Sequence, residues 1–385
     1  MSDTLIHTEP EPSALRDAEE AEAARIGEFA EQLVGMLGAA TTLLTIELGR
    51  RFGLYRALHE RGPLNPVELA EATGIAPRYA REWLEQQAAA GILHAETAAP
   101  AADARPFTLP GHHVPGLVEE LHPGHAAPAA SVLAGVALAF PAVVADFPHG
   151  RGVAFDAYGA ELRHGLGALN RPGFHHAMRD WVGALPDRAA ALDRGGVVLD
   201  AGCGTGWSSV ALAAAFPRAR VVGVDLDEAS IDEARGHAAV AGVADRVRFL
   251  VGDAGETATV RAAAEAVDAP AGFDLVTVFE ALHDMGRPAA ALAAFREALA
   301  DGGALLVADE RVGEAFQADA DPVERMLYAM SVLHCLPATT AESAADANGT
   351  VLRAPTLRRW ASEAGYDGVE VLGIENPFWR FYRIG

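Results

Sequence analysis

The chain has 385 residues, half of them apolar, so we expect enough apolar surface for two hydrophobic cores and hence two domains. Acidic residues outnumber basic ones by 53 to 30, and the formal net charge of -23 repels nucleic-acid phosphates and anionic membrane surfaces. With only Cys203 and Cys335, the chain has neither a disulfide framework nor a cysteine-based zinc site. Because the N-terminus also lacks the features of a secretory signal, we expect a cytoplasmic protein with no membrane or nucleic-acid partner.

The N-terminal part of the sequence predicts a mainly helical domain behind a disordered acidic tail, the tail covering residues 1–27 and the domain residues 28–118. Within the domain, Asn65-Pro66-Val67-Glu68 combines an N-cap, a proline at the first helical position and a capping glutamate. A short helix should therefore start there and end at Gly74. A second helix from Pro77 and a short strand complete the helix, turn, helix and strand of a winged helix.

A winged helix serves either DNA binding or protein contacts, and charge separates the two. From residue 51 to residue 94 the arginines are balanced by glutamates, and lysine is absent. A DNA-binding module needs a basic face to meet phosphates. We therefore expect this module to serve dimerisation or to cover a substrate pocket.

Residues 119–194 predict a helical connector that contains one charge-free segment, residues 126–145. This segment has roughly the length that a bilayer span needs. Pro128 and Pro141 should leave only a short uninterrupted helix between them, and alanine contributes little to membrane insertion. The segment is interpreted as a buried or subunit-interface helix.

From residue 195 onwards, short β-branched runs alternate with helical stretches, which predicts a parallel sheet covered by helices on both faces. The first run leads into VVLDAGCGTGWSS, where Gly202, Gly204 and Gly206 suit a sharp turn that lets a ligand approach the backbone. Asp200 lies two residues before the first glycine. This spacing favours a ligand with a positively charged amino-acid end over a pyrophosphate.

Acidic residues follow the next two strands of the predicted sheet. Asp225 ends the second strand, where a carboxylate can accept hydrogen bonds from the hydroxyls of a ribose. Asp253 follows the third strand, where it can meet the amino group of an adenine. These positions together predict an adenosyl ligand.

With LDAGCGTG, VVGVDLD and VRFLVGDAGE, the chain resembles the class I S-adenosylmethionine-dependent methyltransferases over residues 195–385. The order of winged helix, connector and catalytic domain is similar to bacterial two-domain methyltransferases and to small-molecule O-methyltransferases, whose N-terminal domain dimerises. The resemblance implies a doubly wound, seven-stranded Rossmann-like α/β domain with strand order 3-2-1-4-5-7-6 and an antiparallel last strand, WRFYRI. It also implies S-adenosylmethionine as cofactor and a homodimer.

The resemblance further implies the residues of the cofactor site. The glycine loop with Asp200 would hold the methionine end, Asp225 the ribose, and Asp253 with Ala254 the adenine. Cys203, inside the loop, is interpreted as a small packing residue without a redox role. The full predicted set is Asp200, Gly202, Cys203, Gly204, Gly206, Asp225, Leu226, Asp253, Ala254, Phe279 and Glu280, with Tyr158 and Asn170 from the connector.

A histidine in FEALHDMGRP is the predicted catalytic base. His283 follows the fourth strand, where similar O-methyltransferases carry a catalytic histidine in an H-D-W segment, although Met285 replaces the tryptophan. Glu310, after the fifth strand, is the first candidate to orient this base, and Asp309 is the second. A substrate contact, a metal contact and a structural loop position remain open for His283. His334 is a candidate substrate-pocket residue.

The expected function is methyl transfer from S-adenosylmethionine to a small molecule, with an oxygen nucleophile deprotonated by His283. The alternatives are C- or N-methylation, with or without a metal, and a winged-helix transcriptional regulator that senses the cofactor. No metal site is predicted, because no carboxylate-rich set of partners accompanies His283.

Overall fold

The computed structural model describes residues 12–96 and 101–385. Its first helix, α1 (Pro12–Arg51), corrects the prediction of a disordered tail for residues 12–27. That part of the sequence is dominated by alanine, glutamate, arginine and leucine, which favour a helix by intrinsic propensity. The remainder of the predicted tail, residues 1–11, lies outside the described residues.

The predicted winged helix is present. Asn65 caps the second of its three short helices: its side chain accepts from the backbone N–H of Glu68, whose carboxylate accepts from the N–H of Asn65. This is the capping box that the sequence predicted. The predicted strand pairs antiparallel with a second short strand. The elements are α2 (Leu54–Arg61), α3 (Pro66–Thr73), α4 (Pro77–Ala89), β1 (His94–Ala95) and β2 (Phe107–Thr108).

The connector is helical, and its two long helices pack closely. It contains α6 (Ala129–Asp146), α7 (Gly159–Gly183) and α8 (Pro186–Asp193), and the short helix α5 (Val114–Leu117) precedes it at the end of the winged-helix domain. A Cβ on Gly135 of α6 would lie 2.6 Å from the backbone nitrogen of Leu162 on α7, so glycine permits this approach. Pro141 lies inside α6 instead of interrupting it, which corrects our expectation of a short helix.

Two helices, α1 and α6, are long and apolar enough to span a bilayer by length and composition. They differ in their surroundings. In α6, 39% of the apolar window is buried inside the protein, whereas none of the window in α1 is buried. The apolar side chains of α1 therefore form an exposed surface that this single chain does not cover.

The C-terminal domain is a seven-stranded sheet with helices on both faces. Its strands are β3 (Val197–Ala201), β4 (Arg220–Asp225), β5 (Val247–Val251), β6 (Phe273–Phe279), β7 (Leu299–Glu310), β8 (Val369–Val371) and β9 (Trp379–Ile384). The order is β5-β4-β3-β6-β7-β9-β8, and β9 runs antiparallel to both of its neighbours. Numbered within the domain, this is 3-2-1-4-5-7-6, so the predicted fold class and topology are confirmed.

Helices cover the sheet and connect its parallel strands. They are α9 (Trp207–Ala215), α10 (Glu228–Val240), α11 (Thr257–Ala266), α12 (Pro288–Ala298), α13 (Pro322–Met330), α14 (Leu336–Glu342) and α15 (Ala354–Glu363). A π-helical turn, Ser331–Cys335, joins α13 to α14. Two apolar clusters, one on each face, bury the strands. Because parallel strands end at one edge, the segments after β3, β4, β6 and β7 meet there and form the site.

Candidate active site

The glycine loop after β3 leaves backbone exposed to a ligand. Gly202, Gly204 and Gly206 all adopt the left-handed region, with φ of 71°, 50° and 79°. A Cβ on Gly202 would lie 2.4 Å from the Cβ of Ala281, whereas a Cβ on Gly204 would meet open space. The loop thus packs tightly against the segment after β6 on one side and is accessible on the other.

Asp200 lies at the end of β3, directly before the glycine loop. Its carboxylate is 1% exposed and accepts hydrogen bonds from the hydroxyls of Ser208 and Ser209, both at 2.6 Å, and of Thr277, at 2.9 Å. Burial raises the pKa of this carboxyl, and the three hydroxyls partly offset that effect. Asp200 therefore fastens the start of α9 to the sheet beneath the loop, and its contact with the methionine end stays a prediction.

The side chain of Cys203 lies on the core side of the glycine loop. It is 6% exposed and belongs to the apolar cluster on that face of the sheet. Burial raises the pKa of the thiol, so the group is neutral and unreactive. Any contribution of Cys203 to ligand binding comes from its backbone.

Two acidic side chains, one at the end of β4 and one after β5, are held in place at this edge of the sheet. Asp225 accepts from the backbone N–H of Gly204 at 2.8 Å and of Asp227 at 2.9 Å, which fixes its carboxylate at the strand end. Leu226, 49% exposed, offers an apolar surface beside it. Asp253 accepts from the N–H of Gly255 at 2.7 Å and pairs with Arg287 at 3.1 Å. Ala254, next to Asp253, is buried.

Arg287 is a site residue that the sequence did not reveal. Its guanidinium also pairs with Glu256, so it joins the segment after β5 to the segment after β6. No residue pattern around Arg287 signalled this contact, because its partners lie more than thirty positions earlier in the chain.

Phe279 and Glu280, adjacent at the end of β6, point to different surroundings. Phe279 is 6% exposed and packs against Phe174 and Trp181, with ring centroids 5.5 and 6.0 Å apart, so its side chain belongs to the core. The place of Phe279 beside the cofactor stays a prediction. Glu280 has a φ of 52° and accepts a hydrogen bond from the side-chain amide of Asn170. A strained non-glycine backbone at this edge is typical of functional sites.

Tyr158 supports the π-helical turn. It is fully buried, donates a hydrogen bond to the carbonyl of Leu333 at 2.8 Å, and places its ring edge-on to His334 with centroids 4.7 Å apart. Tyr158 therefore lies behind His334, and its contact with the cofactor stays a prediction.

His283 is oriented by Asp309. The imidazole is 2% exposed, and its Nδ1 lies 2.9 Å from Oδ1 of Asp309, which is itself fully buried. This corrects our first choice of Glu310 and agrees with the second. Glu310 instead interacts with Glu280, and burial together with this second carboxylate raises the pKa of Glu310 well above its usual range.

The second ring nitrogen of His283 lies beside Asp284, with Nε2 and Oδ1 3.4 Å apart. Burial alone would lower the pKa of this histidine. The carboxylates of Asp284 and Asp309 outweigh burial and raise the pKa well above 6.5. The imidazole therefore has a high proton affinity, and Nε2 is the nitrogen at which a proton can be exchanged.

The π-helical turn brings His334 and Cys335 close to His283. His334 is 2% exposed; its Nδ1 lies 3.2 Å from the sulfur of Cys335, and its Nε2 has no hydrogen-bond partner among the described residues. Oδ1 of Asp284 is likewise buried without such a partner. Ligand atoms of His283, Asp284 and Cys335 lie within 4.8 Å of one another, so they could hold a metal ion. The sequence did not signal Cys335, which is 52 positions from His283.

Two family models match the chain. A methyltransferase-domain model matches residues 192–351, and a model described as the Rv2258c-like winged HTH domain matches residues 39–118. A ubiquinone biosynthesis O-methyltransferase of Aromatoleum aromaticum is 32% identical over 207 residues, which cover 54% of this chain and 77% of that protein. The chain belongs to the S-adenosylmethionine-dependent methyltransferases.

Solved structures of other methyltransferases share the whole fold. The mitomycin 7-O-methyltransferase MmcR has a TM-score of 0.64 at 20% identity, with 94% of this chain and 99% of that chain covered. Human N-acetylserotonin methyltransferase in complex with S-adenosylmethionine has a TM-score of 0.64 at 14% identity, with 92% and 97% covered. The winged helix, the connector and the catalytic sheet therefore form one two-domain methyltransferase architecture.

The methyl donor of this methyltransferase is S-adenosylmethionine, and the site suits it. The open backbone above Gly204, the fixed carboxylate of Asp225 and the exposed apolar side chain of Leu226 match the polar and apolar parts of an adenosyl group. His283 lies beyond this cradle, in the segment that packs against Gly202 through Ala281.

Proposed function

We propose that this methyltransferase methylates an oxygen nucleophile of a small molecule, and that His283 removes the proton of that oxygen. The observation that carries the proposal is the pairing of His283 Nδ1 with Asp309, which leaves Nε2 as the exchangeable nitrogen. A carboxylate behind an imidazole holds its tautomer and stabilises its protonated form, as a general base requires. The similarity to proteins named as O-methyltransferases supports the same chemistry.

Each residue of the proposed site has a physical task. When bound, S-adenosylmethionine supplies a methyl group on a positively charged sulfonium. The glycine loop and Asp225 hold the adenosyl part, so that the nucleophile and the methyl group can be aligned. Glu280, held by Asn170, places a carboxyl group at the boundary between the cofactor side and His283. His334 lies on the far side, where it would contact the acceptor.

The test is a panel of small-molecule acceptors incubated with donor carrying a carbon-13 methyl group. Mass spectrometry detects transfer, and the carbon-13 chemical shift of the product distinguishes oxygen, nitrogen and carbon attachment. We expect an O-methyl product. A product methylated only on carbon or nitrogen would contradict the proposed nucleophile.

The second candidate is metal-assisted methylation of carbon or nitrogen. It is favoured by one observation, the convergence of His283, Asp284 and Cys335 ligand atoms together with the unpartnered Nε2 of His334. In this case His283 Nε2 is a ligand and not a base, since one lone pair serves one role. Metal analysis of the purified protein separates the candidates: a stoichiometric ion lost in Asp284→Ala supports the second, and a metal-free active enzyme supports the first.

The proposal includes a homodimer in the cytoplasm. The exposed face of α1 is apolar over most of its length, and an exposed surface of this kind is typical of a protein contact. We place a second copy of the chain on it, in line with the dimerising N-terminal domain implied by the resemblance. The exposed residues are Ile26, Phe29, Leu33, Val34, Met36, Leu37, Leu44 and Leu48.

We propose no nucleic-acid partner for the winged helix. Both arginines of α4 and Arg105 are paired with acids: Arg78 pairs with Glu82, Arg81 lies 3.4 Å from Asp103, and Arg105 lies 3.6 Å from Glu85. These pairs reduce the positive charge of the face around α4, which a nucleic-acid backbone would need to meet.

A further inference from the structure

A cleft between the winged helix, the loop after α5 and helix α7 is lined by cations, although the chain as a whole is strongly acidic. Its cavity has a volume of about 200 Å³. Arg50 comes from the end of α1, Arg56 from α2 and Arg171 from α7, and all three residues line it. Three arginines on one small cavity are notable in a chain whose formal net charge is -23.

The carboxylates near the cleft do not balance these cations. Glu120 accepts from both Arg56, at 3.3 Å, and Arg171, at 3.2 Å. Glu47 pairs with Arg50, at 3.0 Å, and also with Arg51, which in turn reaches Glu161. The two groups of ion pairs differ in balance: Arg50 and Arg51 are matched by Glu47 and Glu161, whereas Arg56 and Arg171 share Glu120 alone, which leaves one positive charge in excess.

His125 provides a second, independent sign of a ligand. It lines the cavity and is 7% exposed, and its Nδ1 has no hydrogen-bond partner among the described residues. Burial lowers the pKa of this imidazole. A buried polar atom without a partner costs free energy unless a ligand or water satisfies it, and an anion beside it would favour its protonated form.

We propose that this cleft binds a small anion, a carboxylate or phosphate group of a soluble metabolite, at a site separate from the methyl-transfer site. Guanidinium groups bind both anions with paired, charge-assisted hydrogen bonds. The anion exchanges with Glu120, which is mostly exposed on a loop, so that Arg56 and Arg171 turn towards the ligand. The proposal does not depend on the identity of the methyl acceptor.

The cleft is connected to the cofactor loop through Arg171. Its guanidinium lies 3.9 Å from the centroid of the Trp207 ring, and Trp207 is the first residue of α9, directly after Gly206. Trp207 stacks on His237, whose Nδ1 lies 2.8 Å from the carbonyl of Thr205 in the loop. An anion that moves Arg171 therefore changes the packing of the loop that holds the donor, and the two affinities become linked reciprocally.

The test is calorimetric titration of the intact protein with inorganic phosphate and, separately, with succinate, at constant ionic strength. We expect saturable 1:1 binding of at least one probe, and the comparison of the two shows whether phosphate or carboxylate is preferred. Arg56→Gln should weaken binding by about tenfold or more, since a charge-assisted hydrogen bond is lost. The matched control is Arg78→Gln, which removes an exposed arginine on α4 that does not line the cleft.

The linkage is tested by titrating S-adenosylmethionine with and without the probe. We expect the donor affinity to change when the probe is present, and this change to vanish in Trp207→Leu while the probe still binds. Thermal unfolding establishes that each variant is folded. No saturable binding of either probe, or equal weakening by Arg56→Gln and Arg78→Gln, would overturn the binding site, and an unchanged donor affinity in the wild type would overturn the linkage.

Discussion

At the scale of single residues, His283 is set apart by its two acidic neighbours. Asp309 meets Nδ1 from β7, and Asp284 lies beside Nε2 on the same segment. A histidine with one such neighbour is common, whereas two carboxylates around a buried imidazole give it a high proton affinity and a fixed tautomer. These contacts lead to two predictions.

The first prediction separates Asp309 from its neighbour Glu310. Asp309→Asn should lower kcat by about tenfold to a hundredfold, because the imidazolium formed on proton abstraction loses its carboxylate partner. Glu310→Gln is the matched control and should lower kcat much less, since Asp309 and not Glu310 meets Nδ1 of His283. Steady-state kinetics at saturating donor measures both, and a larger loss in Glu310→Gln would restore Glu310 as the orienting residue.

The second prediction concerns pH. A base must be neutral to accept a proton, and because the pKa of His283 is raised, kcat should rise with pH above neutrality. Asp284→Asn removes a carboxylate that raises this pKa, so the rising limb should move to lower pH. The measurement is the kcat–pH profile of both proteins, with donor affinity determined at each pH as a control. A limb that stays in place in the variant would exclude Asp284 as a cause of the raised pKa.

The contacts of some acidic residues were not predictable from the sequence alone. Asp309 and Glu310 are adjacent in a strand, where successive side chains point to opposite faces, so choosing between them requires the register of β7 in the sheet. The hydrogen bond from Thr277 to Asp200, 77 positions earlier, was likewise not predictable. Both contacts join distant segments of the chain.

At the scale of elements, the glycine loop and the segment after β6 form one packed unit. Gly202 fits against Ala281 only because it has no side chain, and Ala281 is two residues before His283. The donor loop and the proposed base are thus held in fixed relation, as alignment of the two reactants requires.

A pair of glycine substitutions tests this contact. Gly202→Ala should weaken donor binding by tenfold or more, because the new Cβ clashes with Ala281 and alanine is strained at a φ of 71°. Gly204→Ala has the same kind of strain, at a φ of 50°, without a clash. Calorimetry with S-adenosylmethionine should therefore show a larger loss of donor affinity in Gly202→Ala than in Gly204→Ala, provided that both variants are folded. Equal losses of affinity would show that backbone strain alone accounts for the effect.

Elements were predictable where local chemistry defines them. The capping box at Asn65 involves residues only three apart, and the β-branched runs of the sheet are continuous in sequence. By contrast, the extension of α1 back to Pro12 was missed because its acidic composition was interpreted as disorder, although the same residues favour a helix.

At the scale of the whole molecule, the proposed dimer depends on the exposed apolar face of α1. Leu33→Glu combined with Leu37→Glu should convert the proposed dimer to a monomer, because charges placed in an apolar interface remain unpaired. Val240→Glu, at a 90% exposed apolar residue on α10, is the control and should leave the assembly unchanged. Light scattering coupled to size exclusion gives the mass, and a wild-type monomer would contradict the dimer outright.

The overall architecture was predictable because the motifs of the catalytic sheet lie within short stretches of sequence, and three of them together indicated the donor. The acceptor was not predictable, because the residues near His283 come from α7, the segment after β6 and the π-helical turn, which only the fold brings together. The shape of that region determines the acceptor, while the glycine loop determines the donor.

If His283 takes a proton from the acceptor during methyl transfer, the single-turnover rate of methyl transfer depends on it. Wild type and His283→Ala are compared with one acceptor from the panel, at saturating S-adenosylmethionine, with donor affinity measured alongside. We predict a rate about a hundredfold lower in His283→Ala with donor affinity nearly unchanged. An unchanged single-turnover rate in the variant would show that His283 is not the base.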